Sequence, residues 1–309
     1  MNDFFGLPTS QLFHTQEFFW TASTAWTSWQ IWKKPLGKSM AHIFMLGGWG
    51  GGWSWVVGAN STAAGWGGGW SGWQTRVEIP LSLLPDNLYI SVWASKTGAG
   101  IASYVSIYPS TTANHIVGIA NGWGAWGNAA GATAGAAGAA GAVATAATMP
   151  VWFNFAQVLA GQAGIIGGTT GAGAALTLPV TGLLVTGGTG GAWLPAAAAS
   201  GLAGGTFTVP ASPTPFPAHA GGLGTAVATT PPWKWTDWYW NFAKGLFYYY
   251  GGTGGGSTHG TATTTGLVQA SGGNGGIWSG GGGMWGALTW STAWALSYGG
   301  AWYVLITCF

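Results

Sequence analysis

The side chains able to do chemistry are few and scattered. The 309-residue chain has five Asp or Glu, five His and one Cys. The acids are Asp3, Glu17, Glu78, Asp86 and Asp237. A glycosidase needs two converging carboxylates, and any such pair must be drawn from these. His14, His42, His115, His219 and His259 show no metal-ligand spacing. The lone Cys308 makes neither an internal disulfide nor a Cys-based metal site. His42 lies in the apolar run AHIFML and reads as a core histidine with a satisfied hydrogen bond. His259, in GGGSTHGT, reads as a glycine-loop residue rather than one that orients a ligand. No Gly-x-Ser-x-Gly elbow occurs. Gly37-Lys38-Ser39 looks like the end of a P-loop, but Trp32 stands where that motif needs Gly, and a strand pattern follows instead of a helix. No catalytic residue, metal site or cofactor is expected.

The densest functional cluster is aromatic. Residues 231–241, PPWKWTDWYWN, hold Trp233, Trp235, Trp238, Tyr239 and Trp240 beside Lys234 and Asp237. Flat aromatic faces pack on the apolar faces of sugars while polar neighbours take the hydroxyls, so these five are candidate glycan contacts. The plainer reading, weighed above it, has alternate tryptophans lining one face of a packed strand. Nucleic acid is not an expected partner. Of seven basic residues only Lys33, Lys34 and Lys38 cluster, too few cations for a surface that neutralises several phosphates.

The elements that must position these residues are set by an unusual composition. Gly accounts for 59 residues and Trp for 24, and only 4% are charged, against about 25% in ordinary domains. So much Gly disfavours helix, at about 1 kcal/mol per interior position relative to Ala. The aromatic content and a net charge of +2 disfavour a solvated disordered chain. No sustained Gly-X-Y period supports collagen. The N-terminus lacks the basic start and apolar core of a signal peptide. Residues 97–233 contain no Asp, Glu, Lys or Arg, yet they are Gly, Ala and Thr rather than about twenty apolar residues in a row. No membrane span is expected.

Along the chain, residues 1–30 form a polar-aromatic lead without a period. Ala41 to Leu46 is a short apolar run that reads as a buried strand. Residues 47–73, with eleven Gly and six Trp in 27 positions, read as a structured loop or as extended polyglycine-like segments. Thr75 to Ile79, Leu88 to Val92 and Tyr104 to Tyr108 alternate with period 2, as half-buried strands do. Residues 121–147 are low-complexity Gly, Ala and Thr. Pro150 is placed to start a short helix through Phe155 and Leu159, stopped at Gly161. The chain closes with YVLITCF, residues 303–309, apolar on both faces. Pairing of this last strand with the strand at 41–46 would close a single domain. The expected fold is all-β: a β-sandwich-like core closed by N- and C-terminal strands, with long glycine-rich loops or polyglycine-II-like segments and little helix. Its parts are the lead, 1–30; a strand region, 31–120; a Gly/Ala/Thr/Pro-rich region, 121–230; and an aromatic, Gly-rich region, 231–309, ending in the closing strand.

The order of several segments resembles a known family. WKKP with a short turn, SMAHIFMLGG with a glycine tract, TRVEIPLSLLPDNLYISV, AGQAGIIGG, LTLPVTGLLVTGGTGG, FYYYGGTGGGSTHG and the terminal YVLITCF are similar to the glycine-rich structural proteins of tailed phages, the tail-fibre or glycine-rich domain family. The resemblance runs over most of residues 25–309. It implies a non-enzymatic virion tail protein made in the host cytoplasm. It also implies a homotrimer, contacts with other virion tail proteins, and a host surface receptor, glycan or protein. It brings no catalytic residues. The alternatives are a Trp-rich carbohydrate-binding module and a secreted glycine-rich structural protein. The departure from the family is systematic. In GGWGGGWSW, GWGGGWSGW, NGWGAWGN and GGGGMWGALTW, Trp stands where the family has Gly, and close-packed glycine backbone leaves no room for an indole. UGA codons read as glycine by the host, but rendered here as tryptophan, would remove the conflict. Trp32, which its motif expects, would remain Trp. The codons decide the point.

Overall fold

The computed structural model describes residues 14–19, 29–47, 68, 72–92, 102–122, 143–167, 173–177, 189–190, 203–208 and 303–309. These form eleven strands: β1 His14–Phe19, β2 Gln30–Lys33, β3 Met40–Leu46, β4 Gln74–Pro80, β5 Asn87–Ser91, β6 Ser103–Ser106, β7 Ile116–Ala120, β8 Ala156–Leu159, β9 Leu176–Thr177, β10 Phe207–Thr208 and β11 Tyr303–Cys308. Three short 3-10 turns, at Leu81–Leu83, Ala113–His115 and Phe153–Phe155, are the helical content of the described residues. The fold is all-β.

A five-stranded antiparallel sheet has the order β1-β11-β3-β4-β8, and a four-stranded antiparallel sheet has the order β2-β5-β6-β7. Alternation brings the two together. On β4, Val77 and Ile79 are fully buried while Glu78 is exposed; on β3, Ala41, Ile43 and Met45 are buried. On the other sheet Leu88, Ile90 and Val105 point into the same apolar cluster, with Trp32 fully buried among them. One core shared by the inner faces of two sheets is a β-sandwich. Gly118 of β7 lets the sheets approach, because a Cβ there would strike Met45 Sδ.

The closing pair forms as the two apolar runs suggested. β11 lies antiparallel to β3, from Tyr303 opposite Leu46 to Cys308 opposite Ala41. Its other edge is taken by β1, His14 opposite Cys308 through Phe19 opposite Tyr303. The N-terminal lead therefore contains a strand that its polar sequence, HTQEFF, concealed. On this edge strand Phe18 enters the core while His14, Thr15 and Glu17 stay exposed.

Two further expectations are corrected. The segment after Pro150 makes no helix through Leu159. It makes the 3-10 turn Phe153–Phe155 and then β8, which hydrogen-bonds the free edge of β4 from Leu159 opposite Gln74 to Ala156 opposite Val77. Satisfying an open sheet edge outweighs a weak helical preference in a short segment. The alternation over Tyr104 to Tyr108 overruns its strand: β6 ends at Ser106, where a register irregularity leads into a hairpin. β7, IVGIA, is buried at every position. A second apolar cluster, of Ala102, Ile116, Ile119, Ala144 and Met149, covers its other face.

Candidate functional site

Trp233, Trp235, Trp238, Tyr239 and Trp240 lie outside the described residues, as does His259. The described acids are spread out. Glu17 is on β1 and Glu78 on β4, with β11 and β3 between them. Three strand spacings separate them by about 14 Å, beyond the span of two carboxylates acting on one glycosidic bond. Among the described residues no three of His, Cys, Asp and Glu come together as metal ligands. No described helix is long and apolar enough to cross a membrane.

His42 is not a core residue. It is half-buried on the outer face of the five-stranded sheet, between Thr307 and Glu78 in the cross-strand register. Period 2 sends its apolar neighbours Ala41 and Ile43 inward and His42 outward. Burial lowers its pKa from the ordinary 6.5, with Glu78 opposing and Arg76 adding to the shift. Beside it, the Arg76 guanidinium lies 5.7 Å from the Phe44 ring centroid. It also donates Nε and Nη2 to the Gln74 amide oxygen at 2.7 Å, in the amide orientation that satisfies both groups. Cys308 is fully buried, and burial pushes its thiol up to about 11 against the opposing influence of Lys38. A protonated, enclosed thiol is a poor nucleophile.

The WKKP and PLSLLPD segments lock together in space. Lys34 Nζ donates to the Leu84 carbonyl at 2.8 Å and reaches the Leu81 carbonyl at 3.4 Å. It also lies 3.3 Å from Asp86 Oδ1. The Lys34 N–H donates to the Asp86 carbonyl at 2.8 Å. WKKP thus supplies a core anchor, Trp32, and a cation that caps the carbonyls of PLSLLPD. Gly37, with φ of 74°, makes the left-handed turn that follows.

Glycine does something different around residues 165–206. Gly173 N–H donates to the Ala203 carbonyl at 2.9 Å, Gly205 N–H to the Gly190 carbonyl at 2.9 Å, and Gly190 N–H to the Ala174 carbonyl at 3.4 Å. Thr189 Oγ1 donates to the Gly205 carbonyl at 2.8 Å. These segments meet backbone on backbone. A Cβ on Gly190 would fall on the Ile166 carbonyl, one on Gly205 on the Ala174 carbonyl, and one on Gly173 on the Gly190 carbonyl. β9 and β10 extend the same contact as a two-residue parallel pair. A smaller crossing of this kind joins Gly47, Gly72 and Asn121 where β3 and β7 end and β4 begins. Trp73, next to it, is buried, so position 73 houses an indole although position 72 has no room for a Cβ. The indole N–H of Trp73 has no hydrogen-bond partner, and the same holds for Trp32 and Trp152.

A further exposed feature is the hairpin between β6 and β7, YPSTTANH. Tyr108 is 57% exposed on one arm of it, its ring at 66° to the His115 ring with centroids 5.0 Å apart. Pro109, Ser110 and Asn114 between an alternating strand and an apolar run are the turn signal that marks it. No protein-family model matches the chain, and no curated protein sequence matches it.

Proposed function

We propose that the chain is a non-enzymatic structural protein of a virion, a tail-fibre or adhesin component that contacts the host surface and assembles as a homotrimer with other tail proteins. The observation that carries the reading is the set of crossings at Gly173, Gly190 and Gly205, where main chain rests on main chain with no space for a side chain. Uncharged glycine segments stacked this way, in the manner of polyglycine-II bundles, give a stiff body from loops that would otherwise be floppy. The chain enters that body from β8 of the sandwich. The mutual lock of WKKP and PLSLLPD adds support, since it gives a physical reason for both segments of the resembling pattern to occur in one protein.

The test is assembly. The purified chain is expected to run as an SDS-resistant or cross-linkable trimer, and virions are expected to contain it by mass spectrometry. A monodisperse monomer by light scattering counts against the fibre reading.

A further inference from the structure

We infer that the tip of the β6–β7 hairpin is a binding site for a neutral carbohydrate, with Tyr108 as the stacking platform. The inference rests on the adhesin reading and names the chemistry of its ligand.

The tip is built to hold still. Ile107 N–H donates to the His115 carbonyl at 2.9 Å, and Ser106 Oγ donates to the same oxygen at 3.0 Å. His115 N–H donates to the Thr112 carbonyl at 2.9 Å. Ser110 Oγ donates to Thr112 Oγ1 at 2.9 Å and accepts from the Thr112 N–H at 3.1 Å. The loop is therefore stapled along its length before any ligand arrives, which lowers the ordering cost of binding.

What it presents is specific in kind. Tyr108 offers a largely exposed aromatic ring held against the His115 ring. Rigid Tyr supplies contact area at low entropic cost. Around it Thr111, Thr112 and Asn114 are exposed, giving hydroxyl and amide groups that both donate and accept. The hairpin itself carries no Asp, Glu, Lys or Arg. At this end of the sheet the charged side chains are on the neighbouring strands: Lys33 lies opposite Asn87 of β5, the strand that pairs with β6, and Asp86 directly precedes Asn87. A ligand with an apolar face and many uncharged hydroxyls matches this surface.

The experiment is a glycan array followed by calorimetric titration of the intact protein with maltotriose, chitotriose and mannotriose. 3′-Sialyllactose and trigalacturonate are the acidic controls. At least one neutral glycan is expected to bind and the acidic controls are not. Tyr108→Ala is expected to weaken binding tenfold or more, whereas Tyr108→Phe keeps it within threefold and neither changes the melting temperature. Trp235→Ala with Trp238→Ala is expected to leave binding intact. The site is overturned by an array with no neutral binder, by binding confined to acidic glycans, or by a neutral binder indifferent to Tyr108→Ala. It is also overturned if the Trp pair abolishes binding and Tyr108→Ala does not, or if a host protein binds at Tyr108 and no glycan does. Absence of the chain from virions would remove the adhesin reading and leave this measurement untouched.

Discussion

In the sandwich, Trp32, Ile43, Val77 and Ile306 set the distance between sheets by their own volumes. Around Gly190 the distance is set by the main chain alone: the Ile166 carbonyl occupies the place where a Cβ would be. The first region tolerates exchange of one apolar shape for another of like volume. The second has no room for a Cβ at Gly173, Gly190 or Gly205, where the described segments are joined by main-chain hydrogen bonds and the Thr189 hydroxyl. One region is specified by what its residues are. The other is specified by what they lack.

The largest effect is expected in the sandwich. Trp32→Ala should cost about 3–5 kcal/mol, the usual toll of a large core truncation, read by urea unfolding. Trp32→Phe should be much milder, because it fills most of the space and deletes an indole N–H that has no partner. Equal losses for the two would mean that volume does not govern this core.

Next comes the glycine cluster. Gly190→Ala should cost about 1–3 kcal/mol by overpacking. Gly37→Ala separates sterics from conformation, since its φ is 74° but nothing lies within 4 Å of a Cβ there. It should cost about 1–2 kcal/mol from the left-handed backbone alone, and Gly37→Asn should recover most of that. If Gly190→Ala leaves both stability and amide exchange at residues 173–206 unchanged, backbone packing is not what holds this region.

A smaller effect is expected where the two WKKP and PLSLLPD segments meet. Lys34→Met should cost about 1 kcal/mol, since the charge-assisted bonds it loses are partly open to water. Asp86→Asn should change stability by less than about 0.5 kcal/mol, because Asp86 is 91% exposed. The reverse ranking would show that the ion pair outweighs the carbonyl cap.

The smallest effect concerns pH. The folded pKa of His42 is lowered from 6.5, so the unfolded chain takes up the proton first. Stability is fully present above pH 6.5 and falls as the pH drops below it. His42→Gln should flatten that decline between pH 7 and 5, measured by urea midpoints. An unchanged slope would assign it to other groups.

Much of the sandwich was legible. The alternation in TRVEIP and NLYISV gives β4 and β5, and two apolar runs more than 250 residues apart name β3 and β11 as partners. β1 was not legible. Of the HTQEFF residues whose burial is described, Phe18 alone enters the core, and the strand's pairing with β11 does more to define it than its own pattern does. His42 was misplaced because hydrophobic company in sequence is not hydrophobic company in space when neighbours face opposite ways. The glycine crossings were legible only as composition. Each glycine looks like every other, and which pair meets depends on how distant segments return. The Tyr108 hairpin carried a readable turn signal that the glycine tracts on either side obscured.

The pairing of β11 with β1 and β3 has a topological consequence. Thr15 and Thr307, 292 residues apart in sequence, share a hydrogen bond at 3.3 Å. The glycine cluster and the hairpin are thus enclosed in one long loop whose ends are tied by strand pairing. Loop-closure entropy grows only logarithmically, about 0.6 kcal/mol per doubling of length. By loop closure alone, length changes in the enclosed tracts outside the glycine cluster and the hairpin are therefore cheap as long as the strand pairing survives. A protease that nicks such a tract once would leave two fragments clasped together, a wound invisible to size-exclusion chromatography and plain only on a denaturing gel.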